Sequence, residues 1–138
     1  MRIMGIDYGD TRVGIALSDP LEITAQGHTT LLNKVYPKML DALIKIVEEY
    51  DVKKIVLGMP KNLDGTLGDR VAVTESFYGD LKEKLPDMEI VLWDERLTTV
   101  QATGILNVTN TRGKDRKNVI DTVAASIILQ SYLDYSKK

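Results

Sequence analysis

The stretch RIMGIDYGDTRVGIALS, residues 2–18, decides the fold. Residues 2–7 are apolar and suited to a strand, and residues 12–18 form a second such run. Between them Tyr8, Gly9, Asp10 and Thr11 supply turn chemistry, so the stretch reads as an antiparallel hairpin. Moving outward, residues 23–32 alternate loosely in polarity and add a third strand, with Asp19 and Pro20 marking the turn before it. The chain therefore opens as a three-stranded meander.

Beyond the meander the period changes. From Asn33, the residues Val35, Met39, Leu43, Ile46, Val47 and Tyr50 recur at helical spacing, with Asn33 placed to cap and Pro37 tolerated in the first turn. This helix ends near Asp51. Residues 54–57 (KIVL) form a short apolar strand, and GMPKNLDGT after it is a loop rich in breakers. A second helix spans about 68–85 and stops at Pro86 and Asp87. Residues 89–93 (EIVLW) form a strand whose C-terminal end carries Asp94, Glu95 and Arg96. Thr98 or Thr99 caps a short helix through Leu106. Residues 107–117 are polar, lack an apolar period and read as a mobile loop, and a last helix covers about 118–135.

The order is therefore βββαβαβαα in an α/β fold. Strands separated by helices imply parallel crossovers, giving a mixed five-stranded sheet, three strands antiparallel and then two parallel, with helices on both faces. The 138 residues suit one domain, 1–138. Hydrophobic residues at 43% and charged residues at 28% are ordinary for a soluble globular protein. The N-terminus enters a strand without the apolar stretch of a signal peptide, and no run reaches membrane-spanning length, which predicts a cytoplasmic protein away from membranes.

Residue inventory narrows the chemistry. Cysteine is absent and His28 is the sole histidine, which excludes disulfides, thiolate zinc sites and a cysteine nucleophile and leaves oxygen ligands plentiful. His28 itself reads as a polar residue on a strand. A net charge of -2 argues against coating nucleic acid by bulk electrostatics, so contact with nucleic acid is local.

Three acids stand out. Asp7 ends an apolar strand before Gly9, which allows a sharp turn and close approach of a phosphate. Taken alone, an aspartate there commonly does no more than shape the turn. Glu95 follows Asp94 at the end of another strand. Adjacent strand residues face opposite sides, so one of the pair is structural, and an acidic cluster at a helix entry is the alternative explanation for both. Asp121 shares a helical stripe with Ala124, Ala125, Ile128, Leu129 and Tyr132, which puts a charge on a core-facing side and requires a basic residue or a metal as partner. Three such carboxylates suit magnesium, and two ions can clamp the attacking and leaving oxygens of a phosphoester.

Basic residues lie near these acids in sequence. Arg112, Lys114, Arg116 and Lys117 precede Asp121, while Lys61, Asn62 and Arg70 surround the GMPKNLDGT loop. Such runs are usually solvated surface, but beside a carboxylate site they are suited to phosphates. Arg96 is suited to steadying the acids or the developing charge on phosphorus.

MGIDYGDTRVGIALSD, GMPKNLDGT, LWDERLTTVQA and KNVIDTVAASIILQSYLD, in that order, resemble the YqgF or RuvX family over nearly the whole chain. The resemblance implies a ribonuclease H-like fold and a magnesium- or manganese-dependent nuclease that processes the 5′ end of pre-16S ribosomal RNA. Carried over by motif, the acidic site falls on Asp7, Glu95 and Asp121. Thr122 departs from the lysine or serine expected after the last acid. Holliday junction resolution is the alternative activity, for which a two-fold homodimer suits better than a monomer. A non-catalytic nucleic-acid-binding module is a further alternative. GIDYGDTRVGIA also resembles a phosphate loop of the actin and sugar-kinase superfamily, but one lobe's length of chain does not close on a nucleotide.

Overall fold

The computed structural model describes residues 2–9, 11–59, 69–94 and 113–136, with the backbone alone at 69, 70, 94 and 113–121. Its elements are β1 (Arg2–Tyr8), β2 (Arg12–Ser18), β3 (Ala25–Leu32), α1 (Tyr36–Glu49), β4 (Val52–Met59), α2 (Asp69–Lys84), β5 (Glu89–Asp94) and α3 (Gly113–Ser136). The five strands lie in the order β3-β2-β1-β4-β5. β1 pairs antiparallel with β2, and β2 with β3, whereas β1 with β4 and β4 with β5 are parallel. This is the mixed sheet expected from the sequence. The short helix expected over 98–106 lies outside the described residues.

Several boundaries moved for identifiable reasons. β3 begins at Ala25 rather than residue 23, because the Asp19 carboxylate accepts from the backbone N–H groups of Ile23 (2.7 Å) and Thr24 (2.9 Å) and folds that segment into the loop. β4 runs two residues beyond the apolar KIVL core at each end. Asn33 does not cap α1. The helix starts at Tyr36 with Val35 at the N-cap and no side-chain capping bond, a feature that ordinarily contributes about 0.5–2 kcal/mol. The segment 107–117 is not wholly a loop, because α3 is already helical from Gly113. Lys and Arg are good helix formers, and a polar run hides a helix from a search based on apolar period.

The two faces of the sheet carry different cores. On one, Met4, Ile6 and Tyr8 of β1 join Val13, Ile15, Ile55 and Leu57 beneath Met39, Leu43, Val47, Phe77 and Leu81 of α1 and α2. Tyr8 stacks on Phe77 at 4.1 Å between ring centroids. The Tyr36 hydroxyl donates to Asp80 at 2.5 Å and ties α1 to α2. Burial, then that hydrogen bond, holds the Tyr36 phenol above its ordinary pKa.

On the other face Ile3, Ala16 and Val56 pack against Ala125, Ile128, Leu129 and Leu133 of α3. Here the helix lies close to the strands. A Cβ on Gly5 would stand 2.7 Å from Leu129 Cβ and 2.8 Å from the Ala125 carbonyl oxygen. The residue that lets α3 settle onto β1 is therefore a glycine because nothing larger fits.

Candidate functional site

Asp7 lies inside β1, not in the turn after it. It pairs with Gly14 of β2, and Tyr8 beyond it still pairs with Val13. The turn-forming role considered for this aspartate is thereby removed, since its backbone belongs to the sheet ladder. Along β1, Met4, Ile6 and Tyr8 enter the α1/α2 core and Ile3 enters the α3 core, so the two-residue alternation places Asp7 on the α3 face. A half-buried carboxylate on that face has no structural duty as a turn residue.

The turn after Asp7 is tightly made. Gly9 lies so near the Arg12 carbonyl that no Cβ would fit there. Asn33, at the far end of the β3 strand that flanks this hairpin, holds the turn from the side. Its backbone N–H donates to the Thr11 carbonyl at 2.8 Å. Its side-chain Nδ2 donates to the Gly9 carbonyl at 3.1 Å and to the Tyr8 hydroxyl at 3.3 Å. From the sequence only a capping role was visible for Asn33, because contacts 24 and 25 residues away leave no local signal.

α3 runs antiparallel to β1, as its contacts with the sheet establish. Gln130 Oε1 accepts from the backbone N–H of Ala25 at 2.9 Å, while Thr122 stands over Gly27, two residues further along β3. Gly27 pairs with Ala16, and Ala16 with Gly5. The helix thus travels from residue 130 toward 122 as β1 travels from Ile3 toward Asp7. Ala125 covers Gly5, so the backbone of Asp121, four residues or about 6 Å further along the helix, lies toward the Asp7 end of the same face. Of the predicted stripe, Ala125, Ile128 and Leu129 are buried and Ala124 and Tyr132 half-buried, while the Asp121 side chain lies outside what the structure describes.

β5 is parallel to β4 and β4 to β1, so β5 also delivers its C-terminal end to the Asp7 end of the sheet. Its last residue is Asp94, paired with Met59. Trp93 joins the α3 core, where its indole N–H donates to Ser131 at 3.1 Å and its ring meets Tyr132 and Tyr135 edge-on. Lys54 of β4 donates to the Tyr132 hydroxyl at 2.9 Å, the main cause of its raised pKa, and these contacts fasten the C-terminal half of α3.

Glu95 lies outside the described residues, as do Arg96, Lys61, Asn62 and Arg112. Arg70 falls in the first turn of α2, and Lys114, Arg116 and Lys117 fall in the first turns of α3. Among the described residues no three His, Cys, Asp or Glu side chains form a metal cage. His28 is exposed on β3 and edge-on at 4.8 Å to Tyr50, which packs against the α1/α2 core, so it lies away from the α3 face that carries Asp7 and the ligand chemistry near Asp7 is that of oxygen. Cavities open elsewhere, among them one of ≈ 220 Å³ lined by Arg2, Ser18, His28 and Tyr50 and one of ≈ 300 Å³ lined by Tyr8, Tyr36, Phe77 and Asp80. No helix among the described residues is long and apolar enough to cross a membrane.

Comparison with known proteins adds an independent line. The family described as RuvX, Holliday junction resolvase, matches residues 1–135. A protein of Halothermothrix orenii named "Putative pre-16S rRNA nuclease" is 48% identical over 138 residues, covering 100% of this chain and 98% of that one. One of the same name from Acetivibrio thermocellus is 45% identical, covering 100% and 99%. Among solved structures, Thermus thermophilus RuvC in complex with a Holliday junction substrate superposes with a TM-score of 0.61 at 11% identity, covering 99% and 96%. The fowlpox virus resolvase bound to Holliday junction DNA gives 0.60 at 13%, covering 100% of both chains. At such low identity these structures speak to the fold, which is ribonuclease H-like.

Proposed function

This chain belongs to the RuvX family, and on that footing we propose that it is a metal-dependent nuclease that trims the 5′ end of pre-16S ribosomal RNA. The observation that carries the reading is the place of Asp7, paired within β1 on the α3 face, with α3 bringing the backbone of residue 121 toward the same end. An acid in a strand ladder on the side of a closely packed helix suits ligation better than turn formation. In this reading the chain acts as one nuclease domain, in the cytoplasm where precursor RNA is made.

Asp7, Glu95 and Asp121 are the residues that would hold magnesium or manganese. Their all-oxygen donor set, in a chain with no cysteine and one remote histidine, fits a hard divalent cation. Bound there, two such ions would supply Lewis-acid stabilisation of the attacking and leaving oxygens during in-line displacement. Trp93 faces α3, and the period of two along a strand therefore favours Glu95 over Asp94 as the second ligand. Lys114, Arg116 and Lys117, on the turns of α3 leading to Asp121, are suited to phosphates flanking the cut, with Arg112, Arg70, Lys61 and Asn62 as further contacts and Arg96 beside the acids.

A second reading, suggested by the family's description as a Holliday junction resolvase, is resolution of four-way DNA junctions, for which a two-fold dimer would suit. One assay separates the two. Purified protein is incubated with magnesium or manganese on a pre-16S RNA carrying its 5′ leader and on a four-way DNA junction, with chelated controls. The proposal expects divalent-dependent cutting of the RNA leader to leave a 5′ phosphate. Cutting of the junction alone favours the second reading, and binding to either without cutting defeats the nuclease assignment.

A further inference from the structure

We infer that Asn33 is a positioning residue for Asp7, holding the backbone that follows this acid in the conformation the site needs. The inference rests on the nuclease reading above. It starts from a local rule that the sequence breaks. Asn33 stands just before α1 and is a good capping residue, yet α1 has no side-chain cap and Asn33 serves the β1–β2 turn instead.

The side-chain amide identifies what Asn33 supplies. Nδ2 donates to the Gly9 carbonyl at 3.1 Å and to the Tyr8 hydroxyl at 3.3 Å. A carbonyl only accepts, so Gly9 fixes which end of the amide faces it. The opposite end, Oδ1, is buried and has no hydrogen-bond partner among the described residues. A buried acceptor left unpaired is destabilising, so the amide is held in place by its two donor contacts. With the backbone bond from Asn33 N–H to the Thr11 carbonyl at 2.8 Å, the residue grips Tyr8, Gly9 and Thr11, all within four residues of Asp7.

Gly9 gives the grip a purpose. Its turn is closed against Arg12 with no room for a side chain, and glycine's backbone is otherwise the most permissive in the chain. Without a bond from outside the hairpin, this glycine is free to let the turn rearrange and loosen the end of the ladder, Tyr8 with Val13 and Asp7 with Gly14, that orients the Asp7 carboxylate. Displacement of a reacting group by about 1 Å through a remote substitution can reduce rate on the order of 100-fold.

Asn33→Asp and Asn33→Ala test the assignment. The aspartate keeps the volume of the amide but presents an oxygen to the Gly9 carbonyl, so the two carry the same sign of partial charge. We expect Asn33→Asp to lower kcat by about 10- to 100-fold with KM changed less than about twofold, at least as severely as Asn33→Ala. Asp19→Ala, which loosens the opposite end of β2 and β3 by removing the bonds to Ile23 and Thr24, serves as a destabilised control and retains wild-type kcat. In parallel, hydrogen exchange at the amides of residues 9–12 should quicken at least about tenfold in Asn33→Asp while α2 stays protected. Wild-type kcat in Asn33→Asp, or unchanged exchange in the turn, overturns the inference. If the wild-type protein cuts no substrate, the nuclease reading falls, and the exchange measurement alone sustains or overturns the hold of Asn33 on the turn.

Discussion

The α1/α2 face of the sheet and the α3 face are built by opposite means. The first is filled by large side chains, among them Met4, Phe77, Met39 and Leu43, which hold two helices away from the strands. The second is thin. Gly5 and Gly27 beneath α3, and Ala16 and Ala125 in its core, let the helix backbone approach strand backbone. Thick packing gives stability, whereas close packing gives reach, since a short acid on a helix meets a short acid on a strand only where the two backbones are near. The proposed site lies on the thin face.

The largest effect on stability belongs to the thick face. Phe77→Ala removes a fully buried ring together with its stack on Tyr8 and should cost about 3–5 kcal/mol, measured by denaturant unfolding. Cleavage per folded molecule should remain within about twofold of wild type. A large fall in kcat at full folding would break the division of labour between the faces.

Gly5→Ala makes the converse test. The added methyl meets Leu129 and the Ala125 carbonyl, and the helix must lift or shift, at a cost of about 1–3 kcal/mol. Despite this smaller loss, kcat should fall at least about tenfold, because moving α3 moves Asp121 away from Asp7. Unchanged kcat would mean that reach across the thin face is irrelevant to the chemistry.

Smaller effects sharpen the comparison. Trp93→Phe removes the bond to Ser131 that fastens α3, and thermal unfolding should report a loss of about 1 kcal/mol. At the hairpin loop remote from the site, Asp19 is held below its ordinary pKa of 3.8, chiefly by the backbone hydrogen bond from Thr24. A depressed carboxylate contributes stability above its unfolded pKa and loses it as pH falls through the folded value. The stability difference between wild type and Asp19→Ala should therefore hold at neutral pH and shrink below about pH 4.

Much of this was legible in the chain because it rests on period. The two apolar runs in residues 2–18, with turn residues between them, marked the hairpin, and the helical stripe through Ala125, Ile128 and Leu129 marked which side of the last helix packs. Features set by distant contacts were not legible. For Asp7 a turn role stayed open beside the ligand role because strand and turn share boundary residues, and only pairing with Gly14 removed it. The first turn of α3 was hidden by a polar run with no apolar repeat. Asn33 was given to α1 because capping is local, whereas its hold on Gly9 depends on β3 returning beside the first hairpin.

The most direct test of the account is cleavage of pre-16S RNA by Asp7→Asn in magnesium, with unfolding of the same preparation as a control. The side chain changes by one atom, and the strand ladder with Gly14 is backbone. The account predicts stability within about 1 kcal/mol of wild type and a loss of cleavage on the order of 1,000-fold or more. Wild-type cleavage by a folded Asp7→Asn protein would contradict it.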